Sequence, residues 1–93
     1  MAIRIEIIPG SNGNPPTVDQ PTVSVSKGNG DRVHWWSQSH DWAVVFDGDT
    51  PFEHHYFSPC NPGNKEITAG EGSYKYTIFI DGNCADPMII VKR

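Results

Sequence analysis

The stretch from Asp31 to Phe46, DRVHWWSQSHDWAVVF, decides the fold. In an extended chain Val33 and Trp35 fall on one side and His34 and Trp36 on the other, because successive side chains of a strand point to opposite faces. After the polar interruption at Ser37 to Ser39 the alternation resumes. His40, Trp42, Val44 and Phe46 then share one face, with Asp41, Ala43 and Val45 opposite. The segment therefore predicts two strands, over 32–37 and 40–47, that lay apolar faces against a common core. His40 opens the second on its core-facing register. Period two forces one tryptophan outward or under a loop, and Trp36 is the one expected there.

Working outward, Ile3, Ile5 and Ile7 alternate with Arg4 and Glu6, which predicts a half-buried strand over 2–8. SNGNPP (11–16) ends it. Val23 and Val25 mark another strand over 22–26, and Gly28, Asn29 and Gly30 suit a tight return that would make a hairpin with the strand at 32–37. Ile67 centres a short strand at 65–69. Tyr74, Tyr76, Ile78 and Ile80 face inward from a longer one at 73–80, and 88–92 closes the sheet. The pattern breaks between Asp47 and Asn64, a loop rich in Pro, Gly and Asp that still carries Phe52, His54, His55, Tyr56 and Phe57. A long aromatic loop in a small domain is functional or packs as a cap more often than it is idle.

About seven short strands without helical periodicity predict an all-β, antiparallel Greek-key sandwich. The expected core is Ile5, Val25, Val33, Trp35, Trp42, Val44, Phe46, Tyr76 and Ile78. Tyr74, just after the turn at Gly72, fits a tyrosine corner, in which the hydroxyl bonds back to the preceding connection.

The 93 residues suffice for one core, so residues 1–93 are read as a single domain. A net charge of −4, with Lys and Arg scattered singly, excludes the basic footprint of a nucleic-acid binder. No apolar run approaches the roughly 20 residues that span a bilayer, and the start MAIRIEIIPG lacks the features of a signal peptide. A cytoplasmic location is the expectation, or export if a leader has been removed. Cys60 and Cys84 are either two thiols or one disulfide; the second would imply an oxidising compartment.

Val23-Ser24-Val25, Gly30-Asp31-Arg32-Val33-His34-Trp35, His40 leading into Val44-Val45-Phe46-Asp47, and Gly72-Ser73-Tyr74-Lys75-Tyr76 resemble, in order and spacing, the cupredoxins of the plastocyanin and phytocyanin type. The likeness covers most of 22–91. It implies a copper site with a first histidine at His40, then a cysteine, a second histidine and a methionine around the last loop. Thiolate and two imidazoles form the trigonal plane of such a site, and a distant thioether tunes it. Ile78 stands where the resemblance puts the cysteine, Asn83 where it puts the second histidine, and Met88 alone matches the axial ligand. The expectation is a cupredoxin shape without a complete type 1 copper site. Resemblance to phytocyanins also implies a Cys60–Cys84 bridge, which would close about 25 residues and contribute roughly 3 kcal/mol.

Other constellations are weaker. His54 and His55 are adjacent, so on an extended chain they point apart and resemble exposed loop residues more than a zinc motif. If a metal binds, its candidates are His40, His54, His55, Cys84 and Met88. His40 is otherwise a core-edge histidine bonded to a carbonyl. Asp47-Gly48-Asp49 and Asp81-Gly82-Asn83 are read as turns rather than calcium loops. No nucleophile turn or carboxylate pair marks an enzyme. The expected function is a non-enzymatic binding or interaction domain with no cofactor and an unknown small-molecule or protein ligand. Its site is expected where His40, the 47–64 loop and the 81–87 loop converge, with His40, Trp36, His54, His55 and Tyr56 as candidates. Two other readings stand beside it: a copper-binding or electron-transfer protein, and a sugar-binding module using Trp36 and the loop aromatics. An uncovered edge strand suits a monomer or a weak dimer.

Overall fold

The structure, a computed structural model, describes residues 2–10, 13–39 and 41–92. Among them are eleven strands and no helix. The first sheet has the order β2 (Thr17–Val18), β1 (Ala2–Ile8), β4 (Arg32–Trp36), β7 (Gly63–Glu66). Facing it are two further sheets. One has the order β3 (Thr22–Ser26), β11 (Met88–Lys92), β8 (Gly72–Lys75), and the other the order β10 (Asn83–Ala85), β9 (Thr77–Ile80), β5 (Trp42–Val45), β6 (Tyr56–Phe57). The chain passes between these two at Tyr76, whose N–H donates to the Pro87 carbonyl over 3.1 Å.

Alternation produces the core. Ile5 and Ile7 from β1, Val33 and Trp35 from β4, Val23 and Val25 from β3, Ile89 and Val91 from β11, Val44 from β5 and Ile78 and Ile80 from β9 all face inward and are buried. Every core residue expected from the sequence is buried, Phe46 and Tyr76 included. Trp35 is fully buried and is ringed by aromatic side chains: Phe57 at 4.9 Å between centroids, Tyr76 at 5.4 Å, Phe52 at 6.0 Å and Phe46 at 6.1 Å. Phe52 and Phe57 come from the 47–64 loop, so the apolar half of that loop is a lid on the core. Its polar half stays outside.

The Tyr74 hydroxyl donates to the Gly70 carbonyl over 2.9 Å, which is the tyrosine corner. Three expectations are corrected. The strands number eleven rather than about seven, because the 73–80 strand divides at Tyr76 and because β2, β6 and β10 are two- or three-residue pairings too short to show a period. The segments 22–26 and 32–37 form no hairpin: β3 pairs parallel with β11, and β4 pairs parallel with β1. The turn between them crosses from one layer to the other. Asp31 fixes that crossing, accepting the Ser26 N–H on Oδ2 at 2.8 Å while its own N–H donates to the Ser26 carbonyl at 3.2 Å. Those bonds explain a buried carboxylate at the head of β4. The strand at 65–69 lies earlier, at Gly63–Glu66, drawn forward by a bulge between Val33 and His34.

Candidate functional site

The outer face of the β10-β9-β5-β6 sheet carries the most exposed aromatic surface. β9 turns Ile78 and Ile80 inward, so Phe79 between them points out and is 46% exposed. Ala43 lies directly opposite it on β5, and Cys84 opposite it on β10. Directly opposed residues share a face, so Cys84, Phe79 and Ala43 form one row across three strands. On β6, Phe57 goes into the core and Tyr56 out, where it is 52% exposed. Tyr56, Ala43 and Phe79, with Ser58, Pro59 and Cys60 at one margin and Asp41, Asp81 and Gly82 at another, line an open groove of about 470 Å³.

The carboxylate end of the groove has a fixed backbone. Asp81 N–H donates to the Asp41 carbonyl over 3.4 Å, and Asp81 takes a positive φ of 52°, a conformation that Asp and Asn tolerate better than most residues. Ser39 Oγ donates to Asp81 Oδ1 over 3.3 Å.

The candidates from the sequence divide. Tyr56 and Cys60 line the groove. Of the three parts expected to converge, the 47–64 and 81–87 loops do so in part, through residues 56–60 and through Asp81 and Gly82, with Asp41 beside them. His40 itself lies outside the described residues. Trp36 is on the outer face of the other sheet, half-buried beneath the Arg4 guanidinium at 5.2 Å from its ring centre. His54 and His55 are exposed and do not line the groove. The His55 Nδ1 lies 3.0 Å from the Phe46 carbonyl, to which it donates, while Phe46 N–H donates back to the His55 carbonyl over 2.8 Å. His55 thus ties the loop to the end of the segment that follows β5. The His54 ring lies tilted at 59° to that of Phe57, with ring centres 6.4 Å apart. Phe79, Ala43, Asp41 and Asp81 were absent from the candidates, although a phenylalanine on the outward register of β9 was a readable signal for the first.

Cys60 and Cys84 are free and exposed, so of the two alternatives the pair of thiols is found and the bridge implied by the phytocyanin resemblance is not formed. Cys84 is on β10 at one margin of the sheet, whereas Cys60 is in the turn bridged by Ser58 and Asn61 beyond β6, at the other. Three strand spacings amount to about 14 Å, against a Cα separation under about 7 Å for a disulfide.

The donor set does not fit type 1 copper. Ile78, at the cysteine position, is fully buried and has no donor atom. Asn83 is exposed at the start of β10. Met88 lines a separate crevice with Pro21, Thr22, Lys75 and Ala85. Among the described residues, no three His, Cys, Asp or Glu side chains are grouped as a metal site would need.

Nearly all of the chain nonetheless overlays on cupredoxins. It is similar to a pseudoazurin from Sinorhizobium meliltoi, with a TM-score of 0.59 and 16% identity over 99% of this chain and 74% of that one. It is also similar to the oxidised plastocyanin of Dryopteris crassirhizoma, with a TM-score of 0.54 and 18% identity over 97% of this chain and 100% of that one.

The fold is cupredoxin-like.

No protein-family model and no curated protein sequence matches the chain. At such identities the likeness describes the fold alone, a cupredoxin-like sandwich. No helix among the described residues is long and apolar enough to cross a membrane.

Proposed function

We propose that this cupredoxin-like chain is a small, non-enzymatic binding domain without a functional type 1 copper site, and that its ligand occupies the groove over Ala43, Tyr56 and Phe79. One observation carries the reading: the two most exposed aromatic side chains among the described residues, Tyr56 and Phe79, line the same groove. Exposed apolar surface that is gathered, rather than scattered singly, marks contact sites. Rigid strands supply Ala43, Tyr56 and Phe79, and turns supply the rest, which is how sandwiches commonly build sites. Two free thiols fit a reducing compartment.

The test is a set of neutral aromatic fragments, such as phenol, indole and benzyl alcohol, added at millimolar concentration to 15N-labelled protein. Amide shifts should cluster at Ala43, Tyr56, Phe79 and Gly82. Shifts spread evenly over the surface, or concentrated on the Trp36 sheet, would remove the groove from consideration.

Metal or electron carriage remains the second reading because the fold likeness is to pseudoazurin and plastocyanin. It would have to use donors other than the type 1 set. The sugar-binding reading is weakened by geometry, since Trp36 and Tyr56 are on different sheets.

A further inference from the structure

The groove is one-signed. Among the described residues its charged lining residues are Asp41 and Asp81, and no Lys or Arg side chain lines it. Among the described residues neither carboxylate has an ion-pair partner; Asp81 accepts only the neutral Ser39 hydroxyl, at 3.3 Å. Beside them are the exposed rings of Phe79 and Tyr56, and the π-face of an aromatic ring attracts cations. The protein as a whole carries a net charge of −4, which adds a long-range pull of the same sign.

From these features we infer that the groove receives a basic peptide segment of a partner protein, with an arginine or lysine whose aliphatic stem lies on Phe79 and Tyr56. The inference rests on the groove being the binding site and adds the class of partner. A long basic side chain matches both halves of the lining: its methylenes cover apolar surface and its head seeks anions. The groove crosses β6, β5 and β9, two strand spacings or about 10 Å, which about three extended residues span. An apolar ligand alone would leave the two carboxylates unused, and an acidic one would be repelled.

The experiment is a titration of 15N-labelled protein with a capped tetrapeptide alternating arginine and leucine, run beside the same peptide with glutamine and with glutamate for arginine, and beside cellotetraose. The arginine peptide should shift Ala43, Tyr56, Phe79 and Gly82 and bind at least about tenfold more tightly than the glutamine peptide. Its affinity should fall several-fold between about 0.05 and 0.5 M salt, as expected for solvent-exposed charges that salt screens. Asp41→Asn and Asp81→Asn should each weaken it about threefold or more with little change in Tm, asparagine being able to keep the positive φ at position 81. Phe79→Ala should abolish both peptide and fragment shifts. Equal binding of arginine and glutamine peptides, or preference for cellotetraose, would overturn the basic-partner inference and leave the groove as a site. Arginine-peptide shifts outside the groove, with fragments still inside it, would do the same. Absence of shifts from peptides and fragments alike would overturn both.

Discussion

Trp35 and Tyr76 meet edge to face in the middle of the core, with ring centres 5.4 Å apart and planes at 73°, and the indole Nε1 and the phenolic Oη are both buried without completing a hydrogen bond. Two polar atoms thus sit where the sandwich is driest. Burial pushes the Tyr76 hydroxyl up to about 12 from its ordinary 10.0, opposed by a weak pull from the Trp35 N–H that falls short of hydrogen-bond geometry.

Tyr76 should therefore make the fold sensitive to alkali. Its folded-state pKa lies above the unfolded one, so its contribution is fully present below pH 10 and is lost as pH rises toward 12. Over that window stability should fall by about 1.4 kcal/mol per pH unit from this group. Urea unfolding at pH 9 and pH 11, compared between the wild type and Tyr76→Phe, isolates it; equal pH slopes would contradict the assignment. At pH 7 the same variant should be neutral or up to about 1 kcal/mol more stable, since it removes an unpaired buried hydroxyl. A loss of 1 kcal/mol or more would mean that the hydroxyl has a partner in solution.

Gly63 and Gly82 should respond differently to alanine. Both have positive φ, 112° and 80°. A Cβ on Gly63 would stand 2.5 Å from the Val33 carbonyl oxygen and 3.2 Å from the Trp35 ring, whereas one on Gly82 meets nothing within 4 Å. Gly63→Ala should cost more than about 2 kcal/mol and Gly82→Ala about 1 kcal/mol from backbone strain alone. Denaturant midpoints decide it, and similar losses would show that β7 does not approach β4 as closely as described.

The aromatic residues of the 47–64 loop should separate into two classes. Phe52→Ala or Phe57→Ala opens a cavity against Trp35 and should cost about 3 to 5 kcal/mol. Tyr56→Ala, at an exposed site, should change stability by less than about 0.5 kcal/mol while weakening fragment binding. Thermal melts of the three variants are sufficient; a large loss at Tyr56 alone would invert the roles.

Cu(II) added to the protein should give no intense thiolate-to-copper absorption in the visible, because Ile78 leaves the central ligand position without sulfur. The appearance of a strong blue band would revive the electron-carrier reading and point to Cys84 or Cys60. Both thiols should react with a thiol reagent in the native state, being free and exposed.

Much of the fold was legible because burial follows period two. Ile5, Val33, Trp35, Val44 and Ile78 are where alternation places them. The pairing was less legible: nothing in 22–37 distinguishes a hairpin from a crossing between layers, since that choice depends on β11 and β1 arriving from elsewhere in the chain. The short pairings at Thr17–Val18 and Tyr56–Phe57 have too few residues to show a pattern. For the site, Tyr56 stands out in the sequence as one of several loop aromatics, while Phe79 is hidden between the inward isoleucines on either side of it. Trp36 looked free by its register, and only the three-dimensional position of Arg4 shows that it is covered.

The placement of β11 has a consequence for synthesis. The last strand sits between β3 and β8 rather than at a margin, pairing Val91 with Val25 on one side and with Gly72 on the other. Until Met88–Lys92 clears the ribosome, β3 and β8 have no common neighbour, and the nascent chain cannot complete that layer. Closure of that layer then waits on β11 and is slowed by the long sequence separation it must span. Until it occurs, the valines of β3 lack their partner strand.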